Sequence, residues 1–259
     1  MATMRGLRLV PSLLTPSLTA RGGHQQFLNR SVAESVCQRT IRFRHSKVGT
    51  QTIAMPRDHG VYANYIPPEN PPSITDFGRW RLTKWRNMKN HVQNMLSVGL
   101  IKYKSKYEKW DSRKFLEQAT DVYVDMNTAF AKGDREFLKE TCLDEMYTTL
   151  KNQIKSRSND QRWEWKYHGM IEPPKIVCIR CMSSSGFSKH GFAIAQALVK
   201  MYTKQSMAVY DRKNRLVGGD PNKIHNVQEY VVFQHVISDP EDVWRVYGKI
   251  ASPEKLQQQ

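Results

Sequence analysis

The sequence predicts an α+β domain: two helices packed on a curved antiparallel β-sheet, preceded by an extended arm and a basic helix. Three observations carry this expectation. Apolar residues recur at spacings of three and four from Phe115 to Ile154, the period of one buried helical face. Beyond residue 160 the period falls to two, and β-branched and aromatic residues dominate, as in half-buried strands. The strands follow the helices instead of alternating with them, which argues for an antiparallel sheet. A chain of 259 residues has room for one full core with tails.

Residues 1–47 hold seven Arg and one Lys against a single acid, Glu34, with Ser, Thr, Leu and Val between them. This acid-poor, Arg-spaced composition is that of a mitochondrial targeting presequence, and the run Arg42 to Ser46 has the look of a cleavage neighbourhood. A basic arm retained for RNA binding is the competing reading. Residues 48–76 carry Pro56, Pro67, Pro68, Pro71 and Pro72, which block helix and favour extended chain, so this segment is a linker or a docked arm.

Residues 77–110 form a basic neck. No acid stands between Asp76 and Glu108, whereas Arg79, Arg81, Lys84, Arg86, Lys89, Lys102, Lys104 and Lys106 supply eight fixed positive charges. Trp80, Leu82 and Trp85 interleave with these cations, and Val92, Met95, Leu96 and Leu100 give a helical stripe, which predicts an amphipathic helix over about 78–100. Such a helix suits nucleic-acid phosphates or lipid headgroups. Alternatively, Trp80 and Trp85 pack it onto the domain while the cations stay solvated.

Residues 111–252 are the globular domain, with a short tail at 253–259. Phe115, Ala119, Val122, Met126 and Phe130 mark the first helix, started by Asp111 or Ser112 and closed by Gly133. Asp134 caps a second helix, in which Leu138, Cys142, Met146, Leu150 and Ile154 continue to about Arg157. Strands are expected around Trp163, Trp165 and Tyr167, then over Lys175–Met182, Phe192–Thr203, Val227–Val236 and Val243–Ile250. Turns are expected at Asp211–Asn214 and at Gly218–Pro221. Trp163, Trp165, Val199, Met201, Val231 and Phe233 would line an apolar cup, more simply filled as core than open to a ligand.

The balance of 40 Lys and Arg against 24 Asp and Glu, a formal charge of +16, calls for an anionic partner. It is unevenly spread: residues 48–110 hold ten basic residues against four acids, and residues 111–259 hold 22 against 19. No apolar run approaches the length of a membrane-spanning helix. Cys178 and Cys181 have the spacing of a redox or metal pair, but an offset of three along a strand puts them on opposite faces, so structural thiols are expected. His59, His91, His168, His190, His225 and His235 form no metal-ligand pair. Asp239, Glu241 and Asp242 flank Pro240, where carboxylates cap a turn. No phosphate loop or nucleophile elbow is present, so neither catalysis nor a cofactor is expected.

The segments Gln196–Asp211, Arg215–Val217, Glu229–Phe233 and Trp244–Ile250, with Asn127, Ala129–Ala131 and Gly133-Asp134, carry a resemblance. Over roughly residues 112–250 the chain resembles the mitochondrial large-subunit ribosomal protein forty-five family. That family shares its domain with the peripheral forty-four-kilodalton subunit of the inner-membrane presequence translocase and with the fungal mitoribosome receptor. The resemblance implies a cone-shaped domain in the matrix, ribosome-bound near the polypeptide tunnel exit and peripheral to the inner membrane. It implies rRNA, ribosomal proteins and the membrane insertion machinery as partners, with no small-molecule substrate. The alternative function is a peripheral inner-membrane adaptor or translocase-type protein, with Trp80 and Trp85 inserted among anionic lipids.

Overall fold

The computed structural model describes residues 60–62, 65–68, 72–105, 110–158, 160–184 and 191–251. Within them run α1 (Phe77–Lys104), α2 (Ser112–Lys132), α3 (Arg135–Thr141), α4 (Asp144–Lys155), β1 (Arg162–Ser183), β2 (Ala193–Tyr210), β3 (Leu216–Val236) and β4 (Arg245–Ile250). The strands form one antiparallel sheet in the order β1-β2-β3-β4. The α+β class is as expected. The segments 1–47 and 253–259, and Lys106, lie outside the described residues.

Local chemistry sets the ends of α2. The Asp111 carboxylate accepts from the Arg113 N–H at 2.9 Å, supplying an acceptor that the first helical turn lacks. Gly133 closes the helix at φ +77°, a left-handed conformation that a Cβ would strain. Asp134 then accepts from the Phe137 N–H at 3.1 Å. Between these ends Phe115, Ala119, Tyr123, Met126 and Phe130 are buried, and burying a side chain as large as Phe115 contributes about 1.5–3 kcal/mol.

The rhythm from Leu138 to Ile154 is two helices, not the one expected. Cys142 and Leu143 leave the helical path and bridge to Val246, the Leu143 N–H donating to its carbonyl at 2.8 Å. β4 is an edge strand, and this detour covers part of an edge that would otherwise expose unpaired backbone. Leu138, Met146 and Leu150 stay buried on either side of the break, which is why the periodicity survives it.

β1 merges two expected strands into one of 22 residues. Register shifts near Gly169 and Pro173-Pro174 absorb the irregularity, and Pro is tolerated because β1 is the other edge of the sheet. The Gly218–Pro221 segment is not a turn but part of β3. Gln205 faces His225 and Met207 faces Asp220, so residues 221–224 stand opposite Ser206 alone. At Gly219, with φ +71°, a Cβ would lie 2.2 Å from the Met207 carbonyl oxygen. Glycine and proline serve a bulge as well as a turn, so their presence could not distinguish the two. Asp211–Asn214 does turn the chain: the Asp211 carboxylate accepts from the N–H groups of Lys213 and Arg215 at 2.8 and 2.9 Å.

Alternation along the strands separates two clusters. Ala195, Ala197, Val199, Met201, Val231 and Phe233 face α2, α3 and α4, so the cup expected from the sequence is filled core over most of its length. Cys178, Leu198, Tyr230, Val232 and Tyr247 form the second cluster, against which Val61 and Ile66 of the arm pack. The arm is docked there: Tyr62 N–H donates to Gln196 Oε1 at 2.9 Å, and Gln196 Nε2 donates to the Gly60 carbonyl at 3.0 Å. Cys178 belongs to the second cluster while Cys181 packs against the first, which is the opposite-face arrangement an offset of three requires.

Candidate functional site

Asp76 starts α1, its Oδ1 accepting from the Arg79 N–H at 3.3 Å, and the helix runs through Lys104, four residues beyond the expected end. The face turned to the protein is polar. Asn90, Ser97 and Lys104 are buried and Thr83, Asn87 and Asn94 half-buried, with Ile101 the one fully buried apolar side chain of the helix.

The reason is that α1 covers the edge of β1. Asn90 and Asn94 each donate from Nδ2 to the Val177 carbonyl, at 3.0 and 3.3 Å, and Ile179 N–H donates to Asn94 Oδ1 at 3.0 Å. The carboxamides thus stand in for a neighbouring strand and satisfy backbone groups that an edge leaves unpaired. Arg180 ties the latch together, donating to Asn94 Oδ1 at 2.6 Å and to Asn90 Oδ1 and Gln93 Oε1 at 2.8 Å. Tyr65 of the arm donates to Asn87 Oδ1 at 2.6 Å.

The expected stripe points outward, save for half-buried Leu100. Val92, Met95 and Leu96 are 48, 63 and 69% exposed, and Trp85 and Met88 are 59 and 53% exposed. At about 100° per residue these side chains occupy an arc opposite the asparagine face. Lys84 and Lys102 border the stripe on one side, Lys89 on the other, and Arg81 lies within it, whereas Arg86 shares the azimuth of Lys104 on the flank of the asparagine face; all but Lys104 are exposed. Arg79 is exposed beside its ion-pair partner Asp76 at 3.3 Å. Trp80 is half-buried, stacked on Phe77 at 5.9 Å, with the Lys84 ammonium 5.9 Å from its ring centroid. Lys104 is turned inward and donates to Ser183 Oγ, so it does not belong to the exposed group. The structure thus assembles four of the sequence-predicted cations, Arg81, Lys84, Lys89 and Lys102, with Trp85 on one outward face.

Sequence reading missed a buried polar network. Glu229 Oε2 accepts from Tyr123 Oη and from Lys249 Nζ, both at 2.7 Å. Gln205 donates to Tyr123 Oη and to Thr203 Oγ1 at 2.6 Å and accepts from Trp165 Nε1 at 2.8 Å. Burial and the adjacent Glu229 carboxylate hold the Tyr123 hydroxyl well above the usual tyrosine range. Lone charges of opposite sign inside the apolar runs of β3 and β4 were the available signal. The groups are enclosed and saturate one another, as a structural network does. The thiols are equally inert: burial pushes Cys142 up to about 12 and Cys181 up to about 11, which leaves little thiolate at neutral pH. Asp242 caps its turn, accepting from the Val236 N–H at 2.6 Å.

The model of the Tim44-like domain matches residues 96–251, beginning within α1 and ending just past β4. The chain belongs to the Tim44-like domain family. It is 31% identical over 201 residues to the large ribosomal subunit protein mL45 of Caenorhabditis elegans, covering 74% of this chain and 52% of that one. To the mL45 of Bos taurus it is 29% identical over 198 residues, covering 74% and 60%. The chain thus spans about half to three-fifths of these relatives' length. Among solved structures, the intermembrane-space region of the chloroplast protein ARC6 aligns with a TM-score of 0.36 at 12% identity, over 56% of this chain and all of that one. The basic, Trp-bearing first half of α1 precedes the family match. Among the described residues no helix is long and apolar enough to cross a membrane.

Proposed function

We propose that this chain is a non-enzymatic structural component of the mitochondrial large ribosomal subunit, set near the tunnel exit. Its α1 cations bind rRNA phosphates, and its exposed apolar stripe helps hold the ribosome at the inner membrane. The similarity to the mL45 proteins supports the ribosomal part. The observation that carries the docking role is the outward face of α1, where an apolar stripe is flanked by cations and free of acids. Exposed apolar area of this kind marks an interaction surface, and the flanking charges select an anionic one. Matrix location, proximity to insertion machinery and import through residues 1–47 belong to the same proposal.

The exposed stripe also favours a second reading, a peripheral membrane adaptor in which α1 lies among anionic headgroups. Gradient fractionation of detergent-solubilised mitochondria separates the two. A ribosomal component sediments with large subunits after the membrane is dissolved; recovery only in membrane or free fractions overturns the ribosomal reading.

A further inference from the structure

At the end of β1 remote from the α1 latch, the C-terminal ends of α2 and α4 and the first residues of β1 wall a cavity of about 570 Å³. Arg157, just past α4, stands in this wall. Its guanidinium lies between two rings, 4.0 Å from the Phe130 centroid and 4.2 Å from that of Trp163. Nη1 donates to the carbonyls of Phe130 and Ala131 at 2.8 and 3.3 Å, capping the negative end of α2. Nε and Nη2 are buried with no hydrogen-bond partner, and so is the indole Nε1 of Trp163. Burial lowers the guanidinium pKa to about 10, so it is still a cation at neutral pH.

Buried donors nearly always have acceptors, and three orphans on two stacked side chains call for an acceptor. The cavity wall supplies charge without supplying that acceptor. Lys132, Arg135 and Arg162 line it with Arg157, against the one acid Glu164 among the described lining residues. The Glu164 carboxylate is held by Lys166 at 2.9 Å, and neighbouring Asp160 is paired with Arg212. A guanidinium fork with an adjacent N–H matches an oxyanion, and four cations around it exceed what one carboxylate would neutralise. Trp163 and Trp165 at the same wall offer ring surface of the kind on which a nucleobase stacks.

We propose that this cleft binds a phosphate of a single-stranded nucleotide segment: the exposed Lys132, Arg135 and Arg162 at its rim make the first contacts, and their side chains shift to admit the phosphate to the buried donors of Arg157 and the Trp163 indole. The proposal rests on the RNA-binding reading above for the source of the phosphate, and would add an RNA contact distinct from α1.

The test uses the full chain labelled with ¹⁵N at its six Trp indoles, the Trp163 signal being assigned by its loss in Trp163→Phe. The protein is titrated with uridine 5′-monophosphate, uridine, sodium chloride at matched ionic strength and a hexa-aspartate peptide. The expected result is a saturable downfield shift of the Trp163 indole with the nucleotide alone. Arg157→Lys is expected to weaken that response at least tenfold. The double variant Lys132→Gln/Arg135→Gln, altered only at exposed residues, is expected to weaken it about threefold to tenfold and decides the matter if Arg157→Lys does not fold. An unmoved Trp163 signal at millimolar nucleotide overturns the proposal, as does an equal response to uridine, chloride or the acidic peptide. Because the titration reads one indole in the isolated chain, its failure is distinguishable from absence of the protein from large subunits in a gradient.

Discussion

Lys249 and Glu229 are 2 and 4% exposed, and the Glu229 carboxylate accepts from both Lys249 and Tyr123. Removing one member of a buried ion pair leaves an uncompensated charge, which costs about 3–5 kcal/mol, whereas removing both costs far less. Lys249→Met is therefore expected to lower the urea unfolding free energy by about that amount, and Glu229→Gln/Lys249→Met to recover most of it. A double variant no better than the single would show that the strands tolerate no polar atom there. The thiols obey the same desolvation logic with a pH signature. Folding raises Cys142 from an ordinary value of 9.0 to about 12 and Cys181 from 9.0 to about 11. A raised pKa means that the folded state holds the proton more tightly, so this stabilisation is complete below pH 9 and is lost as the pH climbs towards 11 and 12. Iodoacetamide at pH 8 is expected to alkylate Cys142, 3% exposed, only as fast as the chain unfolds, read by mass spectrometry with and without urea. Labelling at the rate of a free thiol would contradict its burial.

Among the elements, α1 separates what sequence patterns reveal from what they do not. Its apolar stripe reveals the helix, but not what the opposite face meets, which is a strand edge and not an apolar sheet face. Asparagine wins that contact: each carboxamide offers the donor and acceptor of a peptide group, and backbone groups left without either cost about 1–3 kcal/mol. Asn94→Ala removes the acceptor of the Ile179 N–H, so exchange of that amide is expected to accelerate at least tenfold, with about 1–3 kcal/mol lost in stability. Unchanged protection at Ile179 would show that the helix shields the edge by bulk alone. In contrast, α2 was legible in full, since Asp111, Gly133 and the spacing from Phe115 to Phe130 all point to one helix packed on an apolar sheet face. The break at Cys142 and the bulge at Gly219 were not legible. Each depends on a partner distant in sequence, Val246 in one case and Met207 in the other.

At the scale of the described residues, most of the excess charge is kept apart from the core. The formal charge of +16 falls little on the sheet and its helices, and among the described residues an acid-free row of exposed cations follows α1. That separation makes the two components of docking independently removable, because the side chains concerned support no buried contact. Each phosphate neutralised by a cation contributes about 0.7–0.9 to the slope of log affinity against log salt. Replacing Arg81, Lys84, Lys89 and Lys102 by Gln is expected to reduce the salt slope for a large-subunit rRNA fragment by about 2–4, with the melting temperature unchanged. Trp85→Ala/Leu96→Ala is expected to leave that slope intact and to abolish sedimentation with cardiolipin-containing vesicles, since burial of these side chains, not charge neutralisation, would hold the helix in a headgroup layer. A salt slope untouched by four lost cations would remove α1 from the RNA interface and leave its outward face to the membrane alone.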